Sequence, residues 1–329
     1  MRRRRSSPVV AAIVLAVRSL WAAVAAGQSG LTTEGAPFLL IPVGARALGM
    51  GQAVVADQPG SEAVWWNPSG LARSEKREIA VHHYGSVVGN GDAITIVLPS
   101  SLLGVLAASV YVLNFGEQEI PDPNGVVVGA FTPLNLVYAA TYATSVGSRL
   151  NAGISVKLVQ LRINCSGACG TLPAVSSTTA IDMGAQYDAR WLLPVTLGVA
   201  VRNVGPKLQV NDRDQADPLP TRIQFGALYR VTSLEKYSRD VSVRVSGDVI
   251  DELQLGSPTI RLGADAAYRQ RAHLRAGYVF REIENSEQYG ASLGLGLSAG
   301  NLQVDIARMF EGFAGASQPP TYLSLRYLF

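Results

Sequence analysis

From Glu78 onward the chain is a succession of segments of roughly ten residues in which apolar and polar side chains alternate, separated by turn chemistry. A period of two puts successive side chains on opposite faces of an extended strand. Ile260, Leu262, Ala264, Ala266 and Tyr268 share one face, and Arg261, Gly263, Asp265 and Arg269 the other. Leu274, Ala276, Tyr278 and Phe280 oppose His273, Arg275, Gly277 and Arg281; Tyr289, Ala291, Leu293, Leu295 and Leu297 oppose Gly290, Ser292, Gly294, Gly296 and Ser298. Fourteen such segments can be marked, at about 78–88, 90–98, 103–114, 134–145, 149–162, 177–188, 195–204, 221–231, 240–250, 259–270, 272–281, 289–299, 301–309 and 321–329. An even number lets a single-chain barrel close with both ends on one side. Of all residues 48% are hydrophobic and only 16% charged, against about 25% charged in soluble domains. After Ala26 no apolar run approaches the roughly 20 residues a membrane helix needs. These features predict an all-β fold, a transmembrane antiparallel β-barrel of about 14 strands, with its apolar face toward lipid and its polar face toward the lumen. A soluble β-sandwich fits the low charge and the strand number less well. Tyr268, Tyr278, Tyr289 and Tyr327 are expected near strand ends, where interfacial aromatic girdles belong.

The first 26 residues read differently. Arg2 to Arg5 precede an apolar run from Val9 to Ala26, and Ala23-Val24-Ala25 is an A-x-A cleavage site. This is the layout of a secretory signal peptide. A membrane anchor is the alternative, but Arg18 inside the run costs about 2.5–3.5 kcal/mol on insertion scales. The whole chain has 28 Lys and Arg against 25 Asp and Glu, a net +3. Removing the five arginines of residues 1–26 from those 28 leaves 23 basic residues against the same 25 acids, a net −2. No nucleic-acid partner is implied.

Between these two regions lies Phe38 to Arg73, too rich in Gly and Pro for one long helix. Gly44, Gly49 and Gly51 surround Arg46 and Met50, and Asn67-Pro68-Ser69-Gly70 is a type I turn signal preceded by Trp65 and Trp66. By residue chemistry this is a compact loop wedged on two aromatic rings; a plug within a barrel lumen is the sharper alternative.

The same residues carry a family resemblance. The run from Phe38 to Gly51, with Arg46, Gly49, Met50 and Gly51, and then Trp66-Asn67-Pro68-Ser69-Gly70-Leu71-Ala72 resemble the opening of PorV/PorQ-type outer-membrane proteins, which are similar to the FadL group of hydrophobic-compound channels. That group carries Asn-Pro-Ala in its N-terminal hatch, and Ser69 departs from it. A second match runs from Leu197 through Val201-Arg202-Asn203-Val204-Gly205-Pro206-Lys207, followed by Pro218-Leu219-Pro220-Thr221-Arg222. The resemblance implies a 14-stranded FadL-like barrel, an outer-membrane location, and a hatch in which Arg46, Gly49, Met50, Gly51, Trp66, Asn67, Pro68 and Gly70 are the motif residues. The expected organisation is a signal peptide at 1–26, a hatch-like segment at 27–77 and a barrel at 78–329. Two functions follow from it: a component of type IX secretion that binds or shuttles exported cargo, or a FadL-like channel for hydrophobic small molecules. If the segment is a hatch, Arg46 needs a buried partner, which could be a lumen acid such as Asp265.

Further stretches bear on chemistry. Residues 116–133 and 207–220 read as long acidic loops; Asp212, Asp214 and Asp217 lack the Gly and the final Glu of a calcium loop. Cys165 and Cys169 are the only cysteines and, in an exported chain, are expected to form a local disulfide. Gly296-Leu297-Ser298-Ala299-Gly300 matches G-x-S-x-G, but it falls at a strand-to-strand turn and no His follows it. His82 and His83 point to opposite faces of a strand and cannot share a metal as neighbours. No enzyme, cofactor or metal site is expected. The last strand places Leu323, Leu325, Tyr327 and Phe329 on one face and ends on Phe329, resembling the C-terminal signal read by outer-membrane insertion machinery. That machinery and membrane lipid are expected partners, with secreted cargo or hydrophobic small molecules. Sequencing the N-terminus of the envelope protein should give a start near Ala26 or Gly27; an intact Met1 in the membrane fraction contradicts the signal-peptide reading.

Overall fold

The computed structural model describes residues 34–57, 59–86, 89–168, 175–191, 193–209, 216–233, 238–251, 258–283, 286–310 and 320–329. Residues 1–26, expected above to be a signal peptide, lie outside these residues. Fifteen strands form one antiparallel sheet: β1 (Glu78–Ser86), β2 (Gly89–Ser100), β3 (Gly104–Asn114), β4 (Gln118–Pro121), β5 (Val127–Val146), β6 (Leu150–Gly167), β7 (Val175–Asp188), β8 (Val195–Val204), β9 (Arg222–Arg230), β10 (Val241–Asp251), β11 (Thr259–Tyr268), β12 (Ala272–Ile283), β13 (Ser286–Ala299), β14 (Leu302–Phe310) and β15 (Thr321–Leu328). The first wall strand pairs with the last, Glu78 opposite Leu328, and β3 pairs with β5, Val105 opposite Ala143. The sheet therefore closes as a barrel of fourteen wall strands, with β4 paired only to β5 beyond the rim. Each predicted segment overlaps one wall strand.

The wall is inside-out relative to a soluble protein, as alternation requires. On β11, Ile260, Leu262 and Tyr268 are exposed and Asp265 is buried; on β13, Leu293, Leu295 and Leu297 are exposed. Tyr268 and Tyr327 end their strands on the rim that carries the barrel termini, where the exposed Tyr187, Trp191 and Tyr229 also lie. Tyr278 departs from the expected girdle, because it sits mid-strand opposite Leu262.

The stretch 116–133 is not a loop. The strands β4 and β5 form a hairpin around Asp122 to Gly125, and the Asp122 carboxylate accepts from the Asn124 and Val126 backbone N–H groups at 2.8 and 2.9 Å. Those N–H groups, Val126 first, hold the Asp122 carboxyl below its ordinary range. The turn chemistry was legible, but a hairpin solvated on both faces has no apolar alternation to announce its strands. Cys165, near the end of β6, is disulfide-bonded, while Cys169 lies outside the described residues. Of the second loop, Asp212 and Asp214 also lie outside them; Leu208 and Asp217 bridge each other, and Leu208 and Leu219 are buried.

What fills the barrel is the segment before β1. It holds two short helices, Ala45–Gly49 and Ala63–Trp66, and two 3-10 turns, Pro37–Leu40 and Pro68–Arg73. Its first described residue, Glu34, pairs with Arg222 at the head of β9, and at its other end Arg77 exchanges two backbone hydrogen bonds with Phe329. Those two anchors lie at opposite ends of the barrel, so the segment threads the lumen as a plug. The wall admits it through inward-facing glycines that pair across strands: Gly153 with Gly184, Gly198 with Gly226, and Gly263 with Gly277. A Cβ on Gly277 would lie 1.9 Å from the Gly51 nitrogen, and one on Gly198 2.4 Å from the Val55 carbonyl oxygen. Gly277→Val should therefore displace the plug, lowering stability by about 1–3 kcal/mol or more and exposing residues 45–77 to protease in assembled barrels. Gly247→Val, whose Cβ meets nothing closer than 3.5 Å, is expected to leave protection unchanged.

Candidate functional site

The plug is held by the wall residue by residue. Gly44 adopts φ 98°, and a Cβ there would fall 2.1 Å from the Glu62 carboxyl carbon. The absence of that Cβ lets Glu62 reach the N-terminus of the helix Ala45–Gly49, where it accepts from the Ala47 N–H at 3.1 Å. The Ala45 N–H donates to Ser324 Oγ at 2.8 Å, the Gly51 N–H to Ser292 Oγ at 3.2 Å, and the Val55 N–H to Asp248 Oδ2 at 3.0 Å. Ser324 thus meets a donor that the helix N-terminus leaves open, and Ser292 and Asp248 meet peptide groups of the irregular chain that follows the helix.

Asn67 is the hub of the second half. Its Nδ2 donates to the carbonyls of Val55 at 2.6 Å and Val199 at 3.3 Å, and its Oδ1 accepts from Ser69 N at 3.1 Å and Ser69 Oγ at 2.7 Å. The expected type I turn is here the capped start of the 3-10 turn Pro68–Arg73, since a type I turn that continues becomes one. Ser69, the departure from Asn-Pro-Ala, is fully buried and spends its hydroxyl on Asn67. Gly184 supplies the space, because a Cβ there would overlap Asn67 Oδ1.

The two resembling stretches meet at this hub. Arg202 donates to the Trp65 carbonyl at 3.0 Å and lays its guanidinium 5.1 Å from the Trp66 ring centroid. Trp66 in turn donates from Nε1 to the Val43 carbonyl at 2.8 Å. Asn203, at φ 60°, receives Lys157 Nζ on its Oδ1 at 3.1 Å, donates from its backbone N–H to Asp182 at 2.8 Å, and donates from Nδ2 to the Pro220 carbonyl at 3.1 Å. Lys157 is also ion-paired with Asp182. Arg202 and Asn203 thus act together: one side chain grips the plug and the other fixes the start of β9. Sequence reasoning placed neither as a site residue, though both stood in the second motif.

Arg46 pairs with Asp57 at 2.7 Å, not with Asp265. The reason is proximity: Asp57 belongs to the plug itself, while Asp265 is taken by Arg244, by Arg275 at 3.4 Å and by His273 at 3.1 Å. Arg244 also reaches Asp57 at 2.9 Å, so the two acids are linked through it. The chain of charges continues from Arg275 to Asp305 at 2.5 Å and from Asp305 to Arg326 at 2.9 Å. Arg269 does not join this row; it pairs with Asp240 at an exposed turn. Of the other motif residues, Gly49 and Met50 are buried against the wall, with the Met50 carbonyl oxygen 2.4 Å from where a Gly263 Cβ would be, and Gly70 is buried in the second 3-10 turn. His82 faces inward between Ser61 and Ser324, and His83 faces outward beside Asp92. Ser298 sits at the end of β13, its backbone N–H donating to Arg271 O.

Among the described residues, cavities lie at both ends of the plug. One of about 370 Å³ opens at the end bearing the barrel termini, among Arg46, Arg73, Arg244 and Arg326. The other, about 20 Å³, lies toward the opposite end among Phe38, Trp65, Trp66 and Tyr111.

The sequence from residue 24 to residue 250 matches the family described as type IX secretion system protein PorV. The chain belongs to the PorV family. None of the curated proteins matches it. Among solved structures it is similar to the CymD monoaromatic hydrocarbon channel, at 14% identity and a TM-score of 0.58, over 88% of this chain and 98% of that one. The toluene transporter TbuX of Ralstonia pickettii gives 13% and 0.55, over 87% and 98%, and a FadL homologue of Pseudomonas aeruginosa 13% and 0.56, over 87% and 98%. At such identities the likeness shows the fold, a FadL-like outer-membrane barrel. Family and fold are those of secretion and transport barrels.

In this PorV-family barrel, removing one member of a buried pair should cost more than its surroundings can absorb only where no alternative partner remains. Asp57→Asn leaves Arg46 without a carboxylate and should destabilise by about 3–5 kcal/mol. Arg46→Met leaves Asp57 with Arg244 and should cost clearly less. Urea unfolding of the two variants in detergent checks the order.

Proposed function

We propose that the protein is an outer-membrane component of type IX secretion that binds or shuttles exported cargo, working as a plugged docking platform. Family membership across residues 24–250 carries this reading. The plug supports it. A lumen occupied by a segment bonded to at least five wall strands is not an open path, and the 20 Å³ cavity beside Trp65 and Trp66 is far below the roughly 150 Å³ that accommodates a benzene ring in a protein core. The longer connections, including the β4–β5 hairpin and residues 205–221, lie at the end away from the barrel termini. In outer-membrane barrels the long loops face outward and the short turns face the periplasm, so cargo would meet the hairpin end. On this reading Tyr327 and Phe329 serve barrel insertion, and the Cys165–Cys169 disulfide staples the tip of an external loop.

The FadL-like fold favours a second reading, uptake of a hydrophobic compound past a plug that moves. A tether separates them. Ala45→Cys with Ser324→Cys joins plug to wall where the Ala45 N–H meets Ser324 Oγ. In a strain carrying the oxidised variant, cargo display on the cell surface should stay normal if the barrel acts as a docking platform. Hydrophobic uptake that is lost on oxidation and returns with reductant would instead favour the channel.

A further inference from the structure

The charges beneath the plug are unevenly shared. Asp57, Asp265 and Asp305 serve four guanidiniums, those of Arg46, Arg244, Arg275 and Arg326. A fifth, Arg73, has only a distant contact, 3.9 Å to Asp57 Oδ1, on an acid already held by Arg46 at 2.7 Å and Arg244 at 2.9 Å. Its Nε and Nη2 are buried and lack a hydrogen-bond partner. The remaining acids do not relieve it. Glu78 accepts from the Ser61 N–H, and Glu75 stands exposed next to Lys76. The 370 Å³ cavity is lined by the cationic side chains of Arg46, Arg73, Lys76, Arg244, Arg275 and Arg326 against the acids Glu75, Glu78 and Asp305, and it is open to solvent at the end that carries the barrel termini. Buried guanidinium N–H groups left unpaired are costly, and a planar fork of donors matches the oxygens of a carboxylate or phosphate. The volume is several times the roughly 30 Å³ that a water occupies, so a group larger than water fits.

We propose that this vestibule is an oxyanion site, in which Arg73 and Arg244, with Lys76 at the rim, take a carboxylate or phosphate group entering from the terminal end of the barrel. The group completes the hydrogen bonding of Arg73 and supplies the negative charge that Asp57 cannot divide among three arginines. This holds whichever function the opposite end performs. Two sources present the chemistry: free phosphate, or the C-terminal carboxylate of an extended peptide.

Isothermal titration of the full mature protein in detergent, at low chloride, tests it with inorganic phosphate, a short peptide with a free C-terminus, and the same peptide amidated. Saturable binding of phosphate, or of the free but not the amidated peptide, is expected. Arg73→Gln should weaken it roughly ten- to a hundredfold, the worth of a charge-assisted pair. Arg149→Gln, removing an exposed arginine stacked on Trp191, should leave it unchanged. Phosphate identifies the free ion as a ligand, and the free peptide alone identifies a chain terminus. Absence of binding by all three probes, or equal weakening by Arg73→Gln and Arg149→Gln, overturns the site. If Arg73→Gln does not fold, the wild-type unfolding midpoint decides: phosphate should raise it above chloride of equal ionic strength, and identical midpoints reject the proposal.

Discussion

The structure depends on satisfying the peptide groups of a buried segment that is mostly neither helix nor strand. A barrel wall spends its backbone N–H groups on strand-to-strand pairing. The peptide groups of the plug are therefore met mostly by inward side chains or by the plug itself, while a wall carbonyl can still accept a second bond, as Val199 does from the Asn67 amide at 3.3 Å. Ser324, Ser292, Asp248 and Glu78 supply acceptors from the wall, and Glu62 and the Asn67 Oδ1 supply them from within. These acceptors meet particular peptide groups spread along the plug, so the plug has one register against the wall. The inward glycines are the complement of this scheme. They let the plug backbone come close enough for short polar side chains to reach it.

Much of the barrel was legible in the sequence because a transmembrane wall leaves a two-residue period in every strand, and the lipid solvent keeps that period apolar on one face. Ile260 to Tyr268 shows it plainly. The β4–β5 hairpin was not legible for the same reason: beyond the membrane apolar residues no longer alternate with polar ones, as Val126, Val127 and Val128 are exposed in a row, and only the turn at Asp122 to Gly125 stands out. The plug was partly legible. Its glycines and the Asn67-Pro68 turn marked it as special, but the chemistry of local residues alone suggested only a compact loop. The partner of Arg46 was misjudged because sequence shows which acids are inward, not which lie nearest; Asp57, eleven residues away in a segment with no period, gave no signal. Gly263 and Gly277 stood on polar faces in the sequence, and in the structure Gly153, Gly184, Gly198 and Gly226 join them on β6 to β9; an inward glycine repeated around a barrel is a sign that another backbone runs alongside.

The Arg202-Asn203 pair explains why two stretches more than a hundred residues apart belong to one motif. Arg202 needs the Trp65 carbonyl and the Trp66 ring in place, and Asn203 needs its left-handed backbone to reach Asp182, Lys157 and Pro220 at once. A bulge where β7 meets β8, between Ile181 and Met183, accommodates that conformation. The wall is thus locally irregular where the plug is gripped, and the irregularity also anchors the loop that follows β8.

The bonds are unequally distributed along the plug, and this bears on what motion the barrel permits. From Ala45 to Ser74 the segment is tied by wall acceptors, by the Asn67 hub and by the Arg46–Asp57–Arg244 link, and withdrawing it would strip partners from several buried charges together, each a cost of several kcal/mol. From Glu34 to Val43 the ties are fewer: the Glu34–Arg222 pair, the Gly35 N–H to the Pro218 carbonyl, and the Trp66 indole on Val43. Local opening follows the weakest set of contacts, so any excursion of the plug begins at the hairpin end and leaves the charged region closed. A barrel arranged this way can expose the Phe38–Val43 stretch beside its outer loops without becoming a pore, which is a physical basis for engaging a partner at that end while the membrane stays sealed.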